Sequence, residues 1–457
     1  MQNTALSREE DLREKDFLEV FNEVQSYISE NFSKLITEEE TDNTKEQLKN
    51  NIRKYLTDRQ LTATHMTIPE TIERLYSEMT EFSVLNQYLD PARTDIEEIN
   101  INAWNDIKIN FSNGTTKSVE HFFNPQHCEN IIRRLLNRES KMVLDKSRPI
   151  VRGHLSNKIR ITVMGDGVID TSIGLAASLR IVNPKRLKKE DFIRNRTAKD
   201  EMINQLELLL KNGVSMCITG ETNSGKTTLM SYLLTTVPYE KRIFTIEEDV
   251  REFNLVVYDD MGNVLNNVVH TRTKKSDDPA KVIDQEKLLE TAMTMNPDVI
   301  CVAEMKGKES FAAQEAANTG HTVITTTHAN SCRATYSRME NLCRNSTNMD
   351  SHSLKEMLKD AFPVVVFIEK YPDKVRRVTE ITECVRDEEG NSKIITLYEY
   401  EVRDTIKDSV TGEVRIKGDF VKRNNLSTRL QKLLLKKGVQ KEEMNFMIQD
   451  EDKGGEF

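Results

Sequence analysis

The sequence predicts an α/β protein: a domain built on a mostly parallel sheet, a smaller α/β domain ahead of it, and a helical extension at the N-terminus. Three observations carry this expectation. Between 202 and 372, apolar strand-like runs such as VSMCITG (214–220), NPDVICVAE (296–304) and VVVFIEK (364–370) alternate with helical runs, the pattern of strands joined by crossover helices. One of these strands runs straight into the glycine-rich stretch Gly220–Thr228, and a helix follows at once. In the first 85 residues Phe17, Val20, Phe21 and Val24 recur at helical spacing among Glu and Lys, with Pro69 the only proline.

Taken in order, 1–85 reads as a helical region and 86–183 as a small α/β domain. In the latter, Ile99 and Ile101, then Ile107, Ile109 and Phe111, alternate around Asn105-Asp106 as in a β-hairpin. A helix is expected over 129–139, a second hairpin turning near Asn157-Lys158, and a strand over 178–182. The charged stretch 184–201 suits an interdomain linker. From 202 a helix closed by Gly213 leads into the glycine-rich loop and the α/β domain that ends at 372. Residues 373–457 read as an appended hairpin around EEGNS, a helix, and an acidic tail, EEMNFMIQDEDKGGEF, expected to be disordered.

A chain of 457 residues suits about two to four domains. No apolar run approaches the roughly 20 residues of a membrane span, and no signal-peptide core is visible at the start. A cytoplasmic location with peripheral docking on a membrane is the expectation. The six cysteines form no C-x-x-C pair and are expected as reduced thiols. A formal net charge of −9 and the lack of a basic, aromatic-rich stripe argue against nucleic-acid binding.

The chemistry concentrates at Gly220-Glu221-Thr222-Asn223-Ser224-Gly225-Lys226-Thr227-Thr228. This fits the phosphate-loop pattern, in which backbone N–H groups wrap phosphates, the lysine reaches the outer ones and the hydroxyl that follows binds Mg. A nucleotide with Mg is the expected ligand pair, and the loop alone leaves open what its energy is used for, since kinases, helicases, GTPases and motors share the pattern. Hydrolysis also needs carboxylates at strand ends to hold metal and water. Glu304 ends an apolar run, which makes it the first candidate, alongside Thr227, for the metal. A second acidic set, Glu247, Glu248, Asp249 and Glu252, follows the apolar run 243–246. His321 and His328 bracket a threonine-rich strand without a metal-binding spacing, and at its far end His328 could sense the terminal phosphate or couple it to a neighbouring subunit.

These motifs, in this order, resemble those of the ATPases that serve type II and type IV secretion and pilus assembly. GETNSGKTT resembles the family's phosphate loop, EDVREF (248–253) its acidic box, NPDVICVAEMKG (296–307) its second nucleotide motif, and TGHTVITTTHANS (319–331) its histidine box. The N-terminal helices, VLDKSRPIVRGHLSNKIRITV and DKVRRVTEITEC are similar to elements of the Flp/Tad-type pilus and conjugative branch. Ala303 and Lys306 depart from the glycine and arginine usual there. The resemblance implies a RecA-like phosphate-loop domain, ATP hydrolysis with Mg, and a homohexamer working on inner-membrane platform proteins. It implies catalytic or sensing roles for Lys226, Glu304, Glu248 and His328, and phosphate contacts by Arg160 and Arg180 of the smaller domain. The residues themselves leave two other readings open: a RecA-like nucleic-acid motor, and an ATP-gated scaffold with little turnover.

Overall fold

The computed structural model describes residues 13–37, 41–90, 92–140, 142–155, 159–181, 187–248, 251–276, 278–387 and 389–448. The chain divides into two compact units, Met1–Asn183 and Pro184–Phe457.

The first unit opens with β1 (Arg13–Lys15), α1 (Phe17–Thr37), α2 (Asp42–Arg59), β2 (Leu61–Ala63), α3 (Ile68–Thr80) and α4 (Asn86–Leu89). The expected helical region is thus present, with a short parallel pair between β1 and β2 added to it. Local sequence sets the helix starts. Thr67 and Glu70 form a reciprocal capping box at α3, with Pro69 in its first turn, where a missing N–H is harmless. Val20, Val24, Ile28, Ile52, Leu56 and Leu75 form the buried core of these helices. There follow β3 (Ile96–Ala103), β4 (Asp106–Phe111), β5 (Thr116–Ser118), α5 (Pro125–Ser140), β6 (Ile150–Leu155), β7 (Ile159–Met164) and β8 (Ala176–Ile181). These strands make a six-stranded antiparallel sheet in the order β5-β4-β3-β8-β7-β6. Both expected hairpins are there; the turn near Asn157-Lys158 lies outside the described residues.

The second unit contains α6 (Lys189–Arg194), α7 (Asp200–Lys211), β9 (Met216–Thr219), α8 (Lys226–Thr235), β10 (Ile243–Glu247), β11 (Val268–Arg272), α9 (Gln285–Thr294), β12 (Val299–Val302), α10 (Glu309–Asn318) and β13 (Thr322–Thr327). It continues with α11 (Cys332–Cys343), α12 (Ser351–Ala361), β14 (Val364–Lys370), β15 (Arg376–Arg386), β16 (Ser392–Lys407), β17 (Val414–Lys422), α13 (Thr428–Lys436) and α14 (Lys441–Ile448). All its strands share one nine-stranded sheet, β11-β10-β12-β13-β9-β14-β15-β16-β17. The pairs from β11 to β14 are parallel and those from β14 to β17 antiparallel.

Strands buried on both faces read as unbroken apolar runs, and alternate residues enter separate cores. Met216, Ile218, Cys301, Ile324 and Val366 pack with Leu206, Leu229, Leu430 and Met444 from α7, α8, α13 and α14. Cys217, Ile246, Ile300, Val323 and Val365 pack with Leu289, Ala313, Tyr336 and Leu358 from α9 to α12. All six cysteines are free and buried.

Three expectations change here. Within the stretch expected as a linker, Lys189–Arg194 fold as α6: Phe192 is buried and its ring lies 5.1 Å from that of Tyr232, because one aromatic residue among many charges is enough to dock a short helix. The appended hairpin after 373 is no separate piece, since β15 to β17 extend the same sheet. The start of the acidic tail is α14, which buries Met444 and Met447; residues 449–457 lie outside the described residues.

Candidate functional site

The loop after β9 has the shape its glycines permit. Gly220 sits at φ 151°, Asn223 at φ 62° and Gly225 at φ 100°, values that glycine and asparagine reach with least strain. Gly220 has a second constraint, because a Cβ there would lie 2.1 Å from the carbonyl oxygen of Ile368 in β14. Gly220→Ala is therefore expected to cost about 2 kcal/mol of stability through forced backbone displacement, read as a lower denaturant midpoint. Helix α8 starts at Lys226 with Gly225 as its cap, so the positive end of the helix dipole opens on the loop. Ser224 is fully buried, and its hydroxyl has no hydrogen-bond partner among the described residues.

Lys226 is buried and donates to the carbonyls of Gly220 at 3.0 Å and Glu221 at 2.7 Å. Its Nζ stands 3.3 Å from His328 Nδ1, while His328 Nε2 is 2.9 Å from Glu304 Oε1. An ammonium only donates, so Nδ1 accepts and the proton on Nε2 is shared with the carboxylate. The glycine-rich loop, the end of β13 and the end of β12 are thereby joined in one polar chain. A cavity of ≈ 530 Å³ lies beside it, lined by Gly220, Glu221, Thr222, His328, Ala329 and Asn330.

Glu304 is held by its neighbours. Thr326 Oγ1 donates to the Ala303 carbonyl at 2.7 Å, Thr327 Oγ1 to the Met305 carbonyl at 3.0 Å, and Met305 N to the Thr326 carbonyl at 2.8 Å. The threonine-rich strand thus fixes the backbone on both sides of the carboxylate. Past it, the loop is folded back by Glu309 Oε1, which accepts from the amides of Lys306 and Gly307 at 2.7 Å each. That bend presents Lys306 to Glu248, with which it forms an ion pair. Sequence reading missed Glu309; the signal available was an acidic residue at the first position of a helix, two residues after the pair Lys306-Gly307.

The acidic set divides in two. Glu247 is fully buried and accepts from Thr245 Oγ1 at 2.7 Å, from the Phe253 amide at 2.9 Å and from the Glu252 amide, with His270 Nδ1 at 3.1 Å. It organises the loop rather than facing solvent. Glu248 points outward to Lys306, and Asp249 lies outside the described residues. Thr227 is partly buried and Thr228 exposed on the first turn of α8. His321 stands at the opposite end of β13 from His328, some 20 Å away at strand rise, so the structure brings only His328 to the loop. Arg160 and Arg180 face each other across β7 and β8 in the first unit, with Glu98 opposite Arg180 on β3.

Magnesium keeps several waters and takes few protein ligands, all oxygen. Thr227 and Glu304 offer a hydroxyl and a carboxylate, which fits that preference. Among the described residues no group of three or more His, Cys, Asp or Glu is arranged to cage a metal by itself. No helix among them is long and apolar enough to cross a membrane.

The chain is similar to several known proteins. "Type IV secretion system protein PtlH" of Bordetella pertussis is 32% identical over 182 residues, covering 38% of this chain and 52% of that protein. "Conjugal transfer protein TrbB" of Rhizobium radiobacter is 25% identical over 245 residues, covering 52% and 68%. The X-ray structure of the Legionella pneumophila ATPase DotB is similar at 18% identity and a TM-score of 0.45, over 66% of this chain and 76% of that one. The chain therefore spans about half the length (52%) of PtlH. The family described as "Type II/IV secretion system protein" matches residues 108–427, from β4 of the first sheet to the end of the second, and with more than half of its length matched, the chain belongs to that family.

Proposed function

We propose that the chain is an ATP hydrolase whose turnover drives pilus assembly or macromolecular export through a type II/type IV-like secretion system. The observation that carries this reading is the polar chain from Lys226 through His328 to Glu304, at 3.3 and 2.9 Å, at the mouth of a phosphate loop. Family membership and the names of the relatives support the secretion role.

In this reading the second unit is a RecA-like domain. The amides of the loop and Lys226 neutralise the β and γ phosphates, and Thr227 with Glu304 would hold Mg, which would add positive charge to the site. Glu304 and Glu248 orient water, and His328 reports the phosphate state to Lys226. Arg160 and Arg180 give forked contacts to phosphate oxygens. The protein works as a homohexamer in the cytoplasm, peripherally bound to inner-membrane platform proteins, and takes no nucleic acid.

Phosphate release from ATP by the full chain, with Mg and then with a chelator, tests the reading. Release that stops with the chelator and in Lys226→Ala supports it. A folded Lys226→Ala protein with wild-type turnover overturns it. The gated-scaffold reading draws on the same lysine, because its ammonium is already engaged by two loop carbonyls and must be released for phosphate. A single turnover followed by arrest would favour it.

A further inference from the structure

The tip of the phosphate loop is held by a side chain from the C-terminal strands. Arg376, the first residue of β15, donates from Nε to the Asn223 main-chain carbonyl at 3.0 Å and from Nη2 to Asn223 Oδ1 at 2.9 Å. Both donors of one guanidinium edge meet one asparagine, a fork that lysine cannot reproduce. The stem of Arg376 also closes over the loop: a Cβ at Gly225 would lie 3.2 Å from its Cδ.

The position of Arg376 is itself fixed next door. Arg377 is buried and forms a two-bond pair with Asp373 at 2.8 and 2.6 Å in the turn before β15. Its guanidinium lies 4.9 Å from the Tyr371 ring and 5.0 Å from that of Tyr400 on β16. The arginine that touches the loop is therefore mounted on an anchored strand. Asn223 meanwhile sits at φ 62°, a conformation asparagine reaches with little strain, so its side chain is free to meet Arg376.

We propose that Arg376 is a positioning residue for nucleotide: through it the C-terminal strands complete the phosphate loop, so that occupancy of the loop and order in β15 to β17 are coupled. This rests on the nucleotide reading above. A loop held in its binding shape before the phosphates arrive loses less freedom on binding. Thermodynamic reciprocity then requires bound nucleotide to tighten the contact to β15.

The test is titration of the full chain with a fluorescent ADP analogue, alongside hydrogen exchange over 376–386 with and without ADP. Arg376→Ala is expected to weaken binding about tenfold, the effect of one charge-assisted pair of hydrogen bonds at a part-exposed site. Arg376→Lys should lose nearly as much, because charge without the fork does not hold Asn223. Asn223→Gly keeps the positive φ and the carbonyl while removing Oδ1. It should weaken binding less, and combined with Arg376→Ala it should add little, as members of one contact do. In the wild type, ADP should slow exchange in β15, and Arg376→Ala should abolish that slowing. Wild-type affinity in both Arg376 variants, or losses that simply add, would overturn the proposal while leaving the nucleotide reading in place. A wild-type chain that does not bind the analogue overturns both. Should Arg376→Ala fail to fold, Arg376→Lys and Asn223→Gly give the same discrimination.

Discussion

Glu304→Gln is expected to lower ATP turnover roughly a hundred- to ten-thousandfold, the range for removing a group that manages the proton or water at a reacting centre, while nucleotide affinity stays close to wild type. The substitution is nearly isosteric, and the amide oxygen can still accept from His328 Nε2, which lies 2.9 Å from Oε1. What disappears is the negative charge. The surrounding backbone has independent supports in the bonds from Thr326 and Thr327 to Ala303 and Met305, so loss of turnover through misfolding is not expected. Single-turnover phosphate release, paired with a nucleotide titration, separates the two quantities. A folded variant with near-normal release would move the water-orienting role to Glu248, whose charge is already matched by Lys306.

The parts of this site that the sequence revealed are those in which residue type and local order state the chemistry. A strand, glycines at positions needing positive φ, a lysine and a helix can be read without coordinates, and so can a carboxylate closing an apolar run. His328 stands apart from His321 in sequence because it follows the C-terminal end of the strand, where open α/β sheets bind ligands, and the parallel pairing of β13 with β9 brings that end to the loop. Glu247 was grouped with Glu248 because adjacent acids look alike in sequence. Strand alternation then sent one inward to bind the amides of Phe253 and Glu252 and the other outward to Lys306. The linker and the tail misled for a common reason. Their charge density is high, yet Phe192 in one and Met444 with Met447 in the other supply enough apolar surface to dock a short helix.

The contact between Arg376 and Asn223 was invisible for a different reason, since 153 residues separate the partners and only the parallel pairing of β14 with β9 brings that hairpin to the loop. The antiparallel return to β15 then places its first residue beside the loop tip. The Thr326 and Thr327 bonds are likewise products of register between β12 and β13, although the threonine run itself was plain to see.

Arg377→Ala is expected to cost about 3 to 5 kcal/mol of stability, the range for breaking a buried ion pair from one side, seen as a lower denaturant midpoint of the second unit. The Arg377 side chain is 3% exposed and that of Asp373 10%, so the carboxylate left behind cannot recover its lost partner from solvent. Burial alone would raise the Asp373 carboxyl, but the hydrogen bonds and charge of Arg377, with the amides of Val375 and Ile416, outweigh it and hold the group below the usual carboxylate range. A carboxyl depressed in the folded state adds stability above its unfolded value, near 4, and that stability is lost as pH falls through the folded value. In Arg377→Ala the bonds from the Val375 and Ile416 amides remain while those from Arg377 are lost, so the carboxyl is held down less than in the wild type. The stability gap between wild type and variant should therefore narrow as pH falls below about 4, where the wild type loses the stability its depressed carboxyl supplies. A gap that stays constant would mean the loss comes from packing between Tyr371 and Tyr400 alone. Pairing Arg377→Met with Asp373→Asn should restore part of the stability, because neither member is then left charged in a dry setting. Since Arg377 fixes the strand that carries Arg376, the single variant should also weaken nucleotide binding, although Arg377 itself bonds to the turn and not to the loop.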